Sequence, residues 1–125
     1  MSGDHPHRKP LPTTRNGRRV KIEVYTNEGD VDLYLLMNFY EDTGSLGEIF
    51  VNVSKQGSTL QGMLDGWAIM VSVALQHGVP LYNIIDKFAG QSFPPAGPTS
   101  YKEVPSCTSL LDLIVRVLQV ECIKP

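Results

Sequence analysis

The sequence predicts an α+β fold, with a three-stranded antiparallel meander followed by a buried helix and two further helices. Strand-like alternation is confined to residues 20–53, and helical periodicity is confined to residues 59–119. The predicted strands are joined by short turns, which connect antiparallel neighbours. Strands and helices that are segregated along a chain are typical of α+β proteins. A length of 125 residues is suited to one domain.

Three segments carry the strand signal. Residues 21–25 alternate polar and apolar side chains, as a half-buried strand does. Residues 31–39 are apolar on both faces, which is typical of a central strand. Residues 48–53 are rich in β-branched and aromatic side chains. Because Tyr34 and Leu36 make the second sheet face apolar, we expect a second copy of the chain to cover it, giving a homo-oligomer.

The helical half begins with the longest apolar run of the chain. Apolar side chains almost surround residues 59–76, so we expect a helix that is buried on most sides. Ser58 and Gln61 have the spacing of a capping box, in which two side chains satisfy the N–H groups at a helix start. Residues 81–88 and 106–119 are predicted to form the second and third helices.

Composition divides the chain into three parts. Residues 1–19 are rich in proline and basic side chains and are predicted to be a flexible tail. Residues 20–120 are predicted to be the folded domain, and residues 121–125 a C-terminal tail. A basic arm can bind nucleic acid, but the tail has no interleaved aromatic residue for base stacking, so nucleic acid is not the favoured partner.

The chain also shows no sign of export. No apolar run is long enough to span a bilayer. No hydrophobic segment follows the basic N-terminus, as one would in a signal peptide. We therefore expect a cytoplasmic protein that does not bind a membrane.

The turn that precedes the longest helix is the first candidate site. Lys55, Gly57, Ser58 and Thr59 bring a lysine and two hydroxyls to a helix start, where free N–H groups and the helix dipole suit a phosphate. It is not a P-loop, because the lysine precedes the glycine. The alternative is an ordinary strand-to-helix turn with a solvated lysine.

Four other residues are candidate ligand contacts. Asp112 and Arg116 are spaced i, i+4 and either hydrogen-bond a ribose or base edge or form an intrahelical ion pair. Phe93 and Tyr101 lie in a proline-rich crossing, residues 91–105. They either stack on a base or pin the crossing to the body of the domain.

No catalytic constellation, metal site or cofactor site is predicted. Cys107 and Cys122 fit neither C-x-x-C nor a zinc-ligand spacing. We expect two idle thiols rather than a disulfide, because nothing indicates an oxidising compartment. The three histidines, His5, His7 and His77, make no metal set with these cysteines.

Several short segments together resemble a known family. They are Phe-Tyr-Glu-Asp at 39–42, Gly-Glu-Ile-Phe-Val-Asn at 47–52, Lys-Gln-Gly-Ser-Thr-Leu-Gln-Gly at 55–62, Ala-Leu-Gln-His-Gly-Val-Pro-Leu at 74–81, and Phe-Pro and Gly-Pro-Thr within 93–99. From about Arg18 to Leu118 the chain is similar to the TSCPD domain, an accessory domain at the C-terminal end of vitamin B12-dependent (class II) ribonucleotide reductases.

The signature that names this family is altered here. At residues 108–112, Leu110 and Leu111 stand where the family has cysteine and proline, whereas Thr108, Ser109 and Asp112 match. A thiol or metal role is therefore not carried over. The sequence also has no reductase barrel, cobalamin-binding segment or radical-chemistry cysteines. The resemblance implies a free-standing accessory or derived domain, not the enzyme.

The sequence thus favours a non-enzymatic accessory module. It would bind either a nucleotide-like phosphate ligand or a ribonucleotide reductase large subunit. Binding of a nucleotide ligand would suit the sequestration of a nucleotide signal, for example in a bacteriophage. The alternatives are a purely protein-binding accessory subunit and a small nucleotide hydrolase that uses Glu48 or Asp112.

Overall fold

A computed structural model describes residues 7–54 and 56–123. The first three strands form one sheet in which they are neighbours in chain order, with both pairings antiparallel. The predicted α+β fold and its three-stranded meander are therefore confirmed. The elements are β1 (Asn16–Thr26), β2 (Gly29–Phe39), β3 (Leu46–Val53), α1 (Ser58–Gln76), α2 (Leu81–Phe88), β4 (Gly97–Pro98), β5 (Ser106–Cys107) and α3 (Leu110–Cys122).

One face of the sheet carries the core. β2 is the central strand, as its apolar faces predict, and Leu33 pairs with Ile22 of β1 and Val53 of β3. These side chains form a single buried cluster with all three helices. Within α3, Leu113 and Ile114 are completely buried. No helix in the described parts of the chain is long and apolar enough to cross a membrane.

The start of α1 differs from the predicted capping box. Gly57 is the N-cap residue, and no side chain caps the helix. Gln61 instead accepts a hydrogen bond from the Val53 N–H at 2.9 Å and donates to the Val51 carbonyl at 3.0 Å. β3 is an edge strand whose outer N–H and C=O groups need partners. The amide of Gln61 satisfies them, so it is not available to the helix start.

The prediction that α1 is buried on most sides is wrong within the single chain. Its buried residues are Leu64, Ala68, Val71 and Gln76, and apolar side chains on the opposite face are exposed. The helix lies along the edge strand β3, so the sheet covers one side of it. No other described segment covers the outer side.

The leader before β1 also differs from the flexible tail that its composition predicts. β1 begins at Asn16, four residues before the expected start of order at Val20. Leu11 is buried, the Lys9 N–H donates to the Gln76 carbonyl at 2.8 Å, and the Tyr40 hydroxyl donates to the Lys9 carbonyl at 2.6 Å. At the other end, α3 continues to Cys122, beyond the predicted boundary at residue 120.

The proline-rich crossing attaches to the free edge of β1. The Ser100 N–H donates to the Glu23 carbonyl at 2.9 Å, and the Ser100 hydroxyl accepts from the Glu23 N–H at 2.8 Å. Gly97 has a φ of 150°, and a Cβ there would overlap the carbonyl oxygen of Tyr25. Glycine is therefore required where the crossing meets β1.

Candidate functional site

A cleft of about 870 Å³ lies between the β1–β2 turn, the residue before the α1 N-cap, and the proline-rich crossing. We call it the crossing cleft. Its size is within the range of roughly 300–1,000 Å³ that is typical of ligand pockets. Its walls include Glu28, Asp30, Gln56, Phe93, Pro95 and Thr108.

The predicted phosphate turn lies at one end of the crossing cleft. Lys55 is outside the described residues, and its neighbour Gln56 lines the cleft. Gly57, Ser58 and Thr59 follow Gln56 at the exposed start of α1 but do not line the cleft. The first turn of α1 has neither a capping side chain nor an acidic residue. The positive end of this helix is therefore not neutralised by its own side chains.

The two aromatic candidates are in different places. Phe93 is 39% exposed and lines the crossing cleft, where its N–H donates to the Thr108 carbonyl at 3.0 Å. Tyr101 is not in the cleft; its hydroxyl donates to Glu121 of α3 at 2.5 Å. Burial, together with the hydrogen bond to Glu121, raises the pKa of Tyr101 above its ordinary value. Of the two rings, therefore, only that of Phe93 lines the cleft.

Asp112 and Arg116 form the ion pair that their spacing predicts, with 3.2 Å between Arg116 Nη1 and Asp112 Oδ2. Asp112 does not lie on a polar outer side of the helix, since it is only 2% exposed. Its carboxylate accepts hydrogen bonds from the N–H of Gly90 at 2.7 Å and of Thr108 at 3.0 Å. Both oxygens are thus hydrogen-bonded, and these contacts hold Thr108 in the wall of the cleft. We call Asp112 with its contacts to Gly90, Thr108 and Arg116 the Asp112 clamp.

The same contacts control the ionisation of Asp112. Burial by itself would raise the pKa of this carboxyl, but the Gly90 and Thr108 N–H groups and the Arg116 guanidinium together hold the pKa below its usual value. The carboxylate is therefore charged at neutral pH, and each of its oxygens accepts a hydrogen bond from a neighbour. Because it is only 2% exposed, it presents almost no surface to a ligand.

Glu48 is also occupied. The residue is 7% exposed and accepts hydrogen bonds from Arg15 at 2.7 Å and Asn38 at 2.9 Å. It lies at the end of the sheet and does not line the crossing cleft. The leader brings Arg15 to it, which the sequence alone did not indicate.

The described residues give no metal-binding cluster of histidine, cysteine and carboxylate side chains, and His5 lies outside them. Cys107 and Cys122 are thiols and do not form a disulfide. Burial raises the pKa of the Cys107 thiol, which makes it a poor nucleophile.

Sequence reasoning predicted only Phe93 among the cleft walls and missed the others, among them Glu28, Asp30, Gln56 and Thr108. Glu28 and Asp30 lie in a segment whose composition indicated only a turn. Thr108 was noted as part of the family signature. Its place in the cleft depends on the Asp112 clamp, which no local pattern reveals.

The second face of the sheet is not covered by any described residue. A groove of about 340 Å³ there is lined by Arg19, Tyr34, Leu36, Phe50 and Asn52 among others. Phe50 is 51% exposed. The face combines aromatic and apolar side chains with cations, so it is more polar than its β2 residues alone predict.

The chain was compared with known proteins. Residues 7–121 match the TSCPD domain family. A vitamin B12-dependent ribonucleotide reductase of Streptomyces avermitilis is 45% identical over 116 residues, which are 93% of this chain but 12% of the reductase. The reductase of Streptantibioticus cattleyicolor has the same identity over 18% of its length, and that of Rhodopirellula baltica is 38% identical over 11% of its length.

The chain therefore spans less than a fifth of the length of these relatives. No solved structure shows significant similarity to it. The match extends over the leader, the sheet, all three helices and the crossing. The chain belongs to the TSCPD domain family.

Proposed function

We propose that this chain is a non-catalytic, cytoplasmic accessory module, related to ribonucleotide reductase, that binds a nucleotide-like ligand in the crossing cleft. The observation that carries the proposal is the meeting of three features in one cleft of about 870 Å³. They are the residue next to the uncapped start of α1, the ring of Phe93, and two carboxylates of the β1–β2 turn.

The cleft walls and the adjoining start of α1 suit different parts of a nucleotide. The N–H groups at the start of α1 and the ammonium of Lys55 suit a phosphate. Phe93 offers a face on which a base can stack, an interaction worth about 1–3 kcal/mol in nucleic-acid-binding proteins. Glu28 and Asp30 can accept hydrogen bonds from ribose hydroxyls or a base amino group.

Charge fixes the orientation of the ligand in this proposal. The described lining residues include two carboxylates and no lysine or arginine. A phosphate is repelled by Glu28 and Asp30 and is attracted only at the α1 end of the cleft. Lys55 is then the side chain on which phosphate affinity depends.

The test is calorimetric titration with nucleotides and cyclic dinucleotides. We expect Lys55→Ala to raise the Kd by about tenfold to a hundredfold, since hydrogen bonds to charged groups contribute about 1.5–3 kcal/mol. Phe93→Ala should weaken the binding of ligands that contain a base but should not change the binding of inorganic phosphate. Lys102→Ala, an exposed lysine away from the cleft, is the matched control. Failure of every nucleotide to bind the wild type contradicts the proposal.

A second candidate is a purely protein-binding subunit that serves the catalytic chain of a reductase. Its support is the similarity to vitamin B12-dependent ribonucleotide reductases, in which this domain occupies a small part of the length. This alternative predicts co-purification with such a catalytic chain, with equal recovery for wild type and Lys55→Ala. If Lys55→Ala recovered less of the catalytic chain than the wild type, the result would instead favour binding in the crossing cleft.

A nucleotide hydrolase that uses Glu48 or Asp112 receives no support from the cleft. Neither carboxylate lines it, and each is occupied by hydrogen-bond donors. A module that sequesters a nucleotide signal returns the ligand intact after heat denaturation, whereas a hydrolase returns products. Chromatography of the released ligand distinguishes the two.

A further inference from the structure

The outer face of α1 is an apolar surface that the chain itself leaves uncovered. Met63 is 71% exposed, Met70 66%, Ile69 61% and Val73 42%. Large contiguous apolar patches are uncommon on soluble monomers and usually mark an interaction site. We use the name α1 outer face for Thr59, Gly62, Met63, Gly66, Ile69, Met70 and Val73.

The charge of this helix limits what can cover it. Asp65 is the only charged residue of α1, and its carboxylate accepts a hydrogen bond from Gln61 at 2.6 Å. A nucleic acid or an anionic lipid surface would need cations that α1 lacks. A strongly charged protein surface would lose solvation here without gaining a partner. A neutral, apolar surface is the occupant that fits.

The residues of the α1 outer face are arranged symmetrically about Gly66. Positions equally far from Gly66 pair as Gly62 with Met70, Met63 with Ile69, and Thr59 with Val73. A Cβ at Gly62 or Gly66 would have no neighbour within 4 Å, so both glycines leave open space on the helix surface. Each pair joins a smaller residue to a larger one or matches two long apolar side chains.

We propose that the α1 outer face binds the same face of a second copy of the chain, with the two helices antiparallel and crossing at Gly66. A two-fold axis at Gly66 places Met70 of each copy over Gly62 of the other. Two-fold interfaces must be self-complementary in shape and charge. The α1 outer face is neutral, and in an antiparallel pair the large Met70 side chain of each copy lies opposite a glycine of the partner helix. This face therefore meets both requirements.

This dimer uses a different surface from the one that the sequence indicated. The Tyr34 and Leu36 face of the sheet remains accessible, and so does the crossing cleft, because no residue that lines them belongs to the α1 outer face. Thr59 alone is shared with the helix start to which the phosphate is assigned. The dimer therefore does not depend on the proposed ligand. Its failure would leave the cleft proposal unaffected.

The first experiment measures the mass of the full chain by sedimentation. We expect a dimer at about 100 μM, where a dimer of micromolar Kd is mostly assembled. Met70→Lys should raise the dimer Kd at least tenfold and leave a folded monomer, since Met70 is exposed. Phe50→Lys, on the open sheet face, is the matched control and should leave the dimer intact. A monomeric wild type, or a dimer broken only by Phe50→Lys, overturns the proposal.

The second experiment tests the register with single cysteines, in a Cys122→Ser background where the native Cys107 is buried. Disulfides need Cα atoms about 4.4–6.8 Å apart, which the Gly66 crossing provides for Gly66→Cys. The two Gly62 positions are eight residues apart along the paired helices, about 12 Å at 1.5 Å per residue. Gly62→Cys should therefore not self-crosslink.

Both cysteine variants replace a helical glycine that has open space around its Cβ, so circular dichroism should show an unchanged fold. Selective crosslinking at position 66 supports the antiparallel dimer. Equal crosslinking at positions 62 and 66 indicates parallel helices, and no crosslinking at position 66 indicates a different surface. Either of the last two results overturns the proposed register.

Discussion

α1 and α3 are both apolar helices that pack against the same sheet, yet they are buried very differently. α3 places seven residues in the core and fixes its start with Ser109 and Asp112. α1 buries only four residues and leaves an apolar face exposed. The polar residues of α1 explain the difference, because three of them hold the helix beside the edge strand β3.

These three contacts follow one another along β3. Gln61 bonds to Val53 and Val51, Ser72 accepts from the Ile49 N–H at 3.0 Å, and Gln76 donates to the Gly47 carbonyl at 3.1 Å. The helix therefore covers the strand edge, which would otherwise present unpaired backbone groups. α3 does not cover the edge of β3. An apolar helix can thus cover a sheet edge with one face while its outer face is left for another partner.

The largest expected effect distinguishes the burial of the two helices. Leu113→Ala in α3 should lower the free energy of unfolding by about 3 kcal/mol, the usual result of opening a cavity at a fully buried leucine. Ile69→Ala in α1, 61% exposed, should change the unfolding of the dissociated chain by less than about 0.5 kcal/mol. Urea denaturation at low protein concentration measures both. Equal losses would show that α1 is covered within one chain.

The Asp112 clamp should give the next largest effect. Asp112→Asn should destabilise the chain by about 2 kcal/mol at pH 7, because the N–H groups of Gly90 and Thr108 and the Arg116 guanidinium lose a buried, charged acceptor. The exposed carboxylate of α1 provides the control, since Asp65→Asn should have almost no effect. Both are measured by urea denaturation. If Asp112→Asn left the free energy of unfolding unchanged, the contacts of Asp112 would not be needed to join α2 to α3.

The pH dependence of this clamp has a definite sign. The pKa of Asp112 is lower in the folded chain than in the unfolded chain. Its stabilisation is therefore complete above the unfolded pKa of about 3.9 and is lost as the pH falls through the folded value. The difference between wild type and Asp112→Asn should shrink below about pH 4. A difference that grew on acidification would show that the folded pKa is raised.

The edge contacts should give a smaller effect. Gln61→Leu should cost about 1–2 kcal/mol, because the Val53 N–H and Val51 carbonyl lose their partners. Hydrogen exchange at the Val53 amide should accelerate in this variant. Gln119→Leu changes an exposed glutamine of α3 and should alter neither stability nor exchange. Unchanged protection at Val53 would show that α1 does not cover the edge.

The smallest effect separates the two helix starts. Ser109 accepts a hydrogen bond from the Asp112 N–H at 3.0 Å, so Ser109→Ala should cost about 1 kcal/mol, as loss of an N-cap does. Ser58 makes no cap in α1, and Ser58→Ala should change the unfolding free energy by less than about 0.5 kcal/mol. Thermal unfolding of the pair measures the difference. A loss of about 1 kcal/mol for Ser58→Ala would show that Ser58 caps α1, as the capping-box spacing predicts.

The family resemblance was the most informative result of sequence reasoning. It gave the correct family from short segments, and the match over residues 7–121 confirms it. The altered signature also has a structural meaning. Ser109 caps α3 and Asp112 clamps it, whereas Leu110, at the family's cysteine position, is buried in the core. The residues that match are those that build the helix start.

The candidate site was predicted only in part. Of the two aromatic residues predicted as ligand contacts, Phe93 lines the crossing cleft, whereas Tyr101 in the same crossing faces Glu121. Both rings lie in an irregular, proline-rich segment without periodicity, so the sequence carries no information on which way each points. Glu28 and Asp30 joined the cleft because β1 and β2 bring their turn beside the crossing.

The sequence by itself determined the order of strands and helices, the central position of β2 and the family. The strand and helix order and the central place of β2 follow from side-chain periodicity and short turns, which act between residues close in the chain. The family follows from the resemblance of short segments and from the match over residues 7–121. Only the tertiary structure decided the burial of α1, the docking of the leader and the occupation of Asp112 and Glu48. Each depends on distant residues, such as Lys9 with Gln76 and Arg15 with Glu48. A hydrogen bond across such a separation leaves no local pattern.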